Sequence, residues 1–100
     1  MDAESELEKA AELDKNSVSV WASLGNTKAK LNKDNEAIQC YQKALYLEKK
    51  RIDVRLNLGV VYAKTGRYEE AKKEWDYVLT LDENNLKAIS YLQKLNRYNR

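Results

Sequence analysis

What the chain lacks limits the structures that it can form. Its 100 residues contain no proline and only three glycines, so few positions interrupt a helix. The single cysteine, Cys40, has no partner for an internal disulfide, which favours a reducing compartment and a cytoplasmic location. No apolar run approaches the ~18 residues of a membrane-spanning helix, and no stretch resembles a secretory leader.

Residues that catalysis commonly needs are also scarce. Without histidine the chain cannot form a histidine-based catalytic triad, and one cysteine leaves no set of zinc ligands. The three glycines lie too far apart for a loop that cradles phosphate. We interpret the acidic residues as solvated helix faces or helix caps, because periodicity places no pair of them in an apolar cleft. These absences predict no enzymatic activity, no cofactor and no metal ion.

Charge is present but unevenly distributed. The net charge is only +2, too small for a nucleic-acid-binding protein, so we do not expect a nucleic-acid partner. The first fourteen residues carry six acids against Lys9 alone, whereas from Lys87 onward every charged residue is basic. The chain therefore begins acidic and ends basic. The residues concerned are Asp2, Glu4, Glu6, Glu8, Glu12 and Asp14 at the start, and Lys87, Lys94, Arg97 and Arg100 at the end.

A period of 34 residues is the strongest positive feature. It relates Leu24-Gly25 to Leu58-Gly59, Ala37 to Ala71, and Tyr41 to Trp75. Apolar residues recur at spacings of three and four throughout, which is typical of helices, and no alternating pattern favours a strand. Each period then forms a helical hairpin that buries its apolar face only against a neighbour. The pattern predicts six helices, over residues 2–14, 18–31, 35–48, 52–64, 68–81 and 86–98.

Residues that end and begin helices lie between these segments. Gly66 can adopt the left-handed conformation that terminates a helix, and Asn32 tolerates it one period earlier. We expect Asp34 to cap the helix that follows Asn32, and Glu69 and Glu70 to occupy the first turn of the equivalent helix.

The repeated glycines indicate close contact within each hairpin. Gly25 and Gly59 leave room for two helices to approach, and Tyr41 and Trp75 are predicted to fill the adjacent space.

These residues resemble the tetratricopeptide repeat (TPR) family, whose pattern is Trp-x-x-Leu-Gly-x-x-Tyr followed by Ala-x-x-x-Phe and a proline. The first repeat matches through Trp21, Leu24, Gly25, Ala37, Tyr41 and Ala44, and the second through Leu58, Gly59, Tyr62, Ala71 and Trp75. The chain departs from the pattern at Lys28, Arg55, Lys49 and Glu83, which stand at the tyrosine, tryptophan and two proline positions.

The resemblance implies an all-α fold, a right-handed superhelical stack of antiparallel helix pairs. We expect one TPR domain over residues 1–100, divided as follows: 1–17, the second-half helix of a preceding repeat; 18–51 and 52–85, two full repeats; 86–100, a first-half or capping helix. Such a fold implies a scaffold for protein–protein interaction, with a concave groove lined by the first helix of each hairpin.

Family geometry also implies which residues line this groove. Basic groups outnumber the single acid Asp53, and two asparagines can bind a peptide backbone through both donors and acceptors. The expected ligand is an extended peptide or partner helix with an acidic or free C-terminal end. The predicted peptide-groove residues are Asn26, Lys30, Asn57, Lys64, Lys87, Tyr91 and Lys94.

Two further hypotheses remain open. In the first, the groove resembles the carboxylate clamp of TPR domains that bind chaperone C-termini. Asn26, Asn57 and Lys87 match clamp positions, but Ala22 and Tyr91 stand where the family has basic residues.

In the second, the basic last helix of one molecule pairs with the acidic first helix of another, giving a head-to-tail homo-oligomer. The simpler alternative is that the last helix caps the array and the first lacks its neighbour. Recognition of RNA by paired helices ranks last among these functions.

Overall fold

A computed structural model describes residues 2–98, and those residues form six α-helices and no strand. Every predicted helix is present, with both ends within one residue of the expected position. Arg100 of the basic end lies outside the described residues. The helices are α1 (Ala3–Leu13), α2 (Val18–Lys30), α3 (Asp34–Leu47), α4 (Ile52–Lys64), α5 (Tyr68–Leu81) and α6 (Leu86–Tyr98).

Successive helices pack as hairpins that stack side by side. The most extensive contacts join α2 to α3 and α4 to α5, while α1 packs on α2, α3 on α4 and α5 on α6. Alternate helices also touch, since α4 contacts both α2 and α6. The molecule is elongated, with extents of 43 × 26 × 18 Å. The fold is therefore the all-α stack of antiparallel pairs that the period predicts, and α2, α4 and α6 form one inner face.

Local side-chain bonds explain where several helices begin. Asp2, Ser17 and Asn85 each accept a hydrogen bond from the backbone N–H three residues further on, at 2.8, 3.3 and 3.0 Å. These bonds satisfy N–H groups that have no partner within the helix. Glu69 and Glu70 lie in the first turn of α5, as predicted.

The turns after α2 and α4 share one geometry. Asn32 and Gly66 have φ angles of 61° and 83°, the left-handed conformation expected of them. The prediction that Asp34 caps α3 is wrong. Lys33 is the N-cap residue and makes no side-chain cap bond, because the left-handed turn starts the helix at Asp34 itself. The Asp34 carboxylate instead accepts a hydrogen bond from Lys64 Nζ at 3.1 Å.

The repeated glycines bring the two helices of each hairpin together, as predicted. A Cβ atom at Gly25 would lie 2.6 Å from Cε1 of Tyr41, and one at Gly59 would lie 2.6 Å from Cε2 of Trp75. Both rings are almost fully buried. Each ring therefore occupies the space that a side chain on the facing helix would need.

Two apolar clusters hold the stack together. The larger runs from α2 to α6. The smaller joins α1 to α2 and α3 through Ala11, Leu24 and Cys40. Burial raises the pKa of the Cys40 thiol, so this cysteine stays protonated and serves as a small apolar residue. Residues of the larger cluster with no exposed surface are Ala37, Ala44, Ala71, Val78 and Ala88.

Candidate functional site

The inner face carries two adjoining cavities, which together we call the inner groove. The first, the polar cavity, has a volume of 330 Å³ and lies between α2 and α4. The second, the apolar cavity, has a volume of 420 Å³ and lies between α4, α5 and α6. Val60 lines both, so the two cavities are neighbours along one surface. The polar cavity is lined by Asn26, Ala29, Lys30, Tyr41, Asn57, Val60 and Val61; the apolar cavity by Val60, Ala63, Lys64, Tyr68, Trp75, Tyr91, Lys94 and Leu95.

Hydrogen bonds orient the two asparagines of the polar cavity. Asn26 Oδ1 accepts one bond from the Tyr41 hydroxyl at 2.5 Å and another from Asn57 Nδ2 at 3.0 Å. Burial raises the pKa of Tyr41 to about 12, so its hydroxyl stays a neutral donor. The Asn26 amide hydrogens and the Asn57 carbonyl oxygen then have no partner among residues 2–98. The cavity thus offers both donors and an acceptor to a ligand.

Aromatic rings form the back of the apolar cavity. The rings of Trp75 and Tyr91 lie 5.1 Å apart and are tilted by 41°, an arrangement that aromatic pairs favour. Trp75 Nε1 donates to the backbone oxygen of Leu56 at 3.3 Å, which holds the indole in place. At the opening, Val60 and Tyr68 keep 39% and 38% of their surface exposed. The cavity is therefore a largely apolar pocket open to solvent.

Six of the seven residues predicted for the groove line its cavities. Asn26, Lys30 and Asn57 line the polar cavity, whereas Lys64, Tyr91 and Lys94 line the apolar cavity. Lys87 is exposed on α6 and lines neither.

Sequence reasoning missed Trp75, Tyr68 and Leu95 as cavity residues. The period predicts a place in the hairpin interior for Trp75, but α5 also lies behind α4 and α6, so the same ring lines the apolar cavity. The Tyr41 hydroxyl was missed for the same reason. The sequence feature that could have indicated this role is the position of Tyr41 and Trp75 opposite Gly25 and Gly59, because it turns each ring towards the first helix of its hairpin.

Ion pairs change the expected charge of the groove. Lys64 Nζ donates to Asn32 Oδ1 at 2.7 Å and to Asp34 Oδ1 at 3.1 Å. The Asp34 carboxylate therefore balances the charge of Lys64. Asp53 is bound by the Arg51 guanidinium at 2.8 Å, and hydrogen bonding to Arg51 lowers the pKa of this carboxyl. Lys30, Lys87 and Lys94 pair with no carboxylate among residues 2–98, which leaves the groove mildly positive.

A buried lysine lies on the opposite, outer side of the stack. Lys28 is only 4% exposed, and its Nζ donates to Glu4, Glu8 and Glu36 at 2.7, 3.1 and 2.9 Å. Glu4 also binds Lys33 at 2.7 Å. Hydrogen bonds to these carboxylates raise the pKa of Lys28, and those from Lys28 and Lys33 lower the pKa of Glu4.

The interpretation of every acidic residue as a solvated face or cap is therefore wrong for Glu4, whose side chain is 16% exposed, and for Glu74, whose side chain is 17% exposed and pairs with Arg55. The acids of α1 partly serve to attach that helix to α2 and α3 through Lys28.

Arg55, which stands at the tryptophan position of the repeat pattern, also has specific contacts. Trp21 Nε1 donates to the backbone oxygen six residues upstream at 2.9 Å, and Arg55 Nε makes the equivalent bond at the same distance. Arg55 also pairs with Glu74 at 2.8 Å and lies over the Tyr77 ring, 3.9 Å from its centroid. The arginine thus reproduces the hydrogen bond of the tryptophan that it replaces and adds an ion pair.

Neither a metal site nor a membrane span is found in the described part of the chain. Within residues 2–98, no three histidine, cysteine, aspartate or glutamate residues are grouped so that they could hold a metal ion. No helix in that range is long and apolar enough to cross a bilayer.

The stacked hairpins define the class of α-helical solenoids, and the sequence identifies the family. A family model described as TPR repeat matches residues 25–66, and one described as tetratricopeptide repeat matches residues 53–85. Together they span more than half of the chain. The chain belongs to the tetratricopeptide repeat family. No curated protein matches it significantly in sequence.

Solved structures share this fold. The Arabidopsis OM64 TPR domain superposes with a TM-score of 0.90 at 22% identity, covering 96% of this chain and 79% of that one. The first TPR domain of Spaghetti (RPAP3), bound to the HSP90 peptide SRMEEVD, gives 0.87 at 23% identity, covering 92% and 73%. A MamA protein gives 0.84 at 25% identity, covering 87% of this chain and 48% of its own length.

Proposed function

We propose that this protein is a protein–protein interaction scaffold that binds an extended peptide in the inner groove. The observation that carries the proposal is the hydrogen-bonded pair Asn26–Asn57 beside an open apolar cavity. An extended backbone presents a carbonyl oxygen and an N–H group to one side, and the unpaired Asn26 and Asn57 atoms complement both. The unpaired Lys30 and Lys94 favour an acidic peptide by charge complementarity.

The RPAP3 complex supports this proposal through its fold. In that protein a TPR domain of the same architecture holds an acidic peptide. A carboxylate-clamp module of the co-chaperone kind remains an alternative for this chain, carried by Asn26, Asn57 and Lys87. It would lack two of the clamp's basic groups, since Ala22 is buried and Tyr91 packs against Trp75.

The proposal is tested by NMR titration with the acidic heptapeptide SRMEEVD. We expect amide shifts at Asn26, Asn57, Val60 and Tyr91 to saturate together, with none on the outer face. Shifts confined to the outer surface around Lys28 would contradict the proposal.

A pair of asparagine variants serves as a control for the titration. Asn57→Ala should weaken binding about tenfold, the equivalent of roughly 1.4 kcal/mol, because it removes hydrogen bonds in the polar cavity. Asn35→Ala, at an exposed position of α3 outside the groove, should leave affinity unchanged. Equal losses in the two variants would count against the groove.

Head-to-tail self-association is a second candidate, favoured by two exposed leucines. Leu13 of α1 and Leu86 of α6 are 88% and 80% exposed. Their equivalents one period away, Leu47 and Ile52, are partly buried within the stack. Pairing α6 of one molecule with α1 of another would cover both leucines.

One residue weighs against this assembly. Gln93 stands two periods after Gly25, where the full repeats leave room for a large side chain. Sedimentation at rising concentration, in low and high salt, tests the candidate. Association that Leu86→Asp abolishes would support it, and a monomer at every concentration would end it.

A further inference from the structure

Building on the proposed function, we infer that the inner groove reads an internal acidic segment anchored by one large apolar side chain. A free C-terminal carboxylate is not required. The apolar cavity beside the asparagine pair receives the side chain, and the unpaired lysines receive the flanking carboxylates.

The first argument concerns where the groove places its cations. A terminal carboxylate is held best where two charged donors converge on it. In the polar cavity Lys30 is the one lysine, and in the apolar cavity Lys64 already binds Asn32 and Asp34, which leaves Lys94. Lys87 lines neither cavity. No two unpaired lysines therefore share a cavity, and the groove favours separate carboxylates along a segment.

The second argument concerns the apolar cavity. Its 420 Å³ volume is open to solvent and lined by Val60, Ala63, Leu95 and the rings of Trp75 and Tyr91. That volume accommodates a side chain such as leucine. Moving a leucine side chain from water into such a pocket increases affinity by tenfold or more.

The third argument concerns the spacing of the two cavities. Val60 contributes to both, so a backbone held by Asn26 and Asn57 passes directly beside the apolar cavity. A side chain close in sequence to the bound peptide group can then enter that cavity. Lys94 lines the same cavity and is exposed, which places a positive charge next to the residues that flank the anchor.

The test uses three acetylated heptapeptides in calorimetric titrations at equal ionic strength. The first has a central leucine between two acidic triplets and an amidated end. The second is the same peptide with a free carboxylate, and the third is amidated with alanine in place of leucine. We expect the two leucine peptides to bind within about threefold of each other, and the alanine peptide at least tenfold more weakly.

The outcomes separate the inference from the proposed function. A free-carboxylate peptide that binds tenfold more tightly than its amidated form would overturn the inference and leave peptide binding in the groove intact. Equal affinity for the leucine and alanine peptides would also overturn it. A lack of binding by all three peptides would overturn both.

Variants of the groove check the assignment of its residues. Lys94→Gln should weaken the leucine peptides about threefold, whereas Lys50→Gln, the same charge change at an exposed position in the α3–α4 turn, should have no effect. Tyr91→Arg should remove part of the apolar wall and shift preference towards the free-carboxylate peptide. An unchanged affinity ratio between the two leucine peptides in folded Tyr91→Arg would contradict the assignment of Tyr91. Equal effects of the two lysine changes would contradict the assignment of Lys94.

Discussion

Positions 28 and 62 are equivalent in the 34-residue period, yet the two repeats fill them with different chemistry. Lys28 is buried and bound by three carboxylates, whereas Tyr62 is buried and accepts a hydrogen bond from Gln42 Nε2 at 3.2 Å. The partner changes with the residue, because Glu8 occupies in α1 the position that Gln42 occupies in α3.

The difference teaches that the repeat determines which position is buried and leaves its chemistry open. A substitution that looks like a departure in one helix is matched by a substitution in the helix that packs against it. Consequently the apolar contacts of α1 are supplemented by a buried cluster of ion pairs at Lys28. At the equivalent position between α3 and α4 the buried polar contact is a neutral hydrogen bond, and the ion pair of Lys64 with Asp34 is more exposed. The two repeats should respond differently to mutation and to acid.

The largest expected loss of stability is at Gly59, a position where both repeats have glycine. Gly59→Leu should lower the free energy of unfolding by about 3 kcal/mol, because the new side chain must displace the buried Trp75 ring. Urea denaturation measures the change. Gly66→Ala serves as a control, since a Cβ atom there meets nothing within 4 Å and only the positive φ angle is strained. A loss no larger than that of the control would contradict the close helix contact.

Removing the buried lysine should have the next largest effect. Lys28→Met leaves three carboxylates near one another without their common partner, and we expect a loss of about 2 kcal/mol in unfolding free energy. The double variant Lys28→Tyr with Glu8→Gln introduces the tyrosine–glutamine pair of positions 62 and 42 and should recover part of the lost stability. If the double variant is less stable than Lys28→Met, the two repeats do not exchange their chemistry as described.

Removing Arg55, the arginine at the tryptophan position of the pattern, should cause a smaller loss of unfolding free energy. Arg55→Ala should cost about 1 kcal/mol, because the ion pair with Glu74 and the contact with Tyr77 lie at a partly exposed site. Thermal denaturation compares it with Arg67→Ala, an exposed arginine that makes no side-chain cap bond. Equal stability of the two variants would show that Arg55 contributes nothing beyond its backbone.

Acid should destabilise α1 before the other helices. We expect this to be the smallest of the four effects on stability. Bonds from Lys28 and Lys33 lower the pKa of Glu4 below its ordinary 4.5, with Glu8 and Glu36 facing the same lysine. The folded state then binds fewer protons than the unfolded state. The stability that Glu4 contributes is complete above pH 4.5 and is lost as the pH falls through the lower folded value.

Amide exchange measures this as declining protection of α1 relative to α5 on acidification. In Glu4→Gln the relative protection should depend less on pH. The same pH dependence in both proteins would exclude Glu4 as its source.

The sequence was sufficient to predict the six helices, their ends and the glycine–ring contacts, because a 34-residue period repeats each signal. Partners of single charged residues could not be predicted in the same way. Lys28, Arg55 and Lys64 each bind a side chain on another helix or turn, and such pairs leave no periodic trace. The place of Trp75 in the cavity wall could not be predicted either, because the relative placement of α4, α5 and α6 decides which part of its ring faces the cavity.

The central claim, that the inner groove binds a peptide, is tested most directly by the fluorescence of Trp75. The chain has two tryptophans, so in Trp21→Phe the Trp75 ring behind the apolar cavity is the only indole. Titration with the amidated leucine peptide should change its emission saturably, at the affinity found by calorimetry. Calorimetric binding that leaves the Trp75 emission unchanged would place the ligand elsewhere and contradict the account.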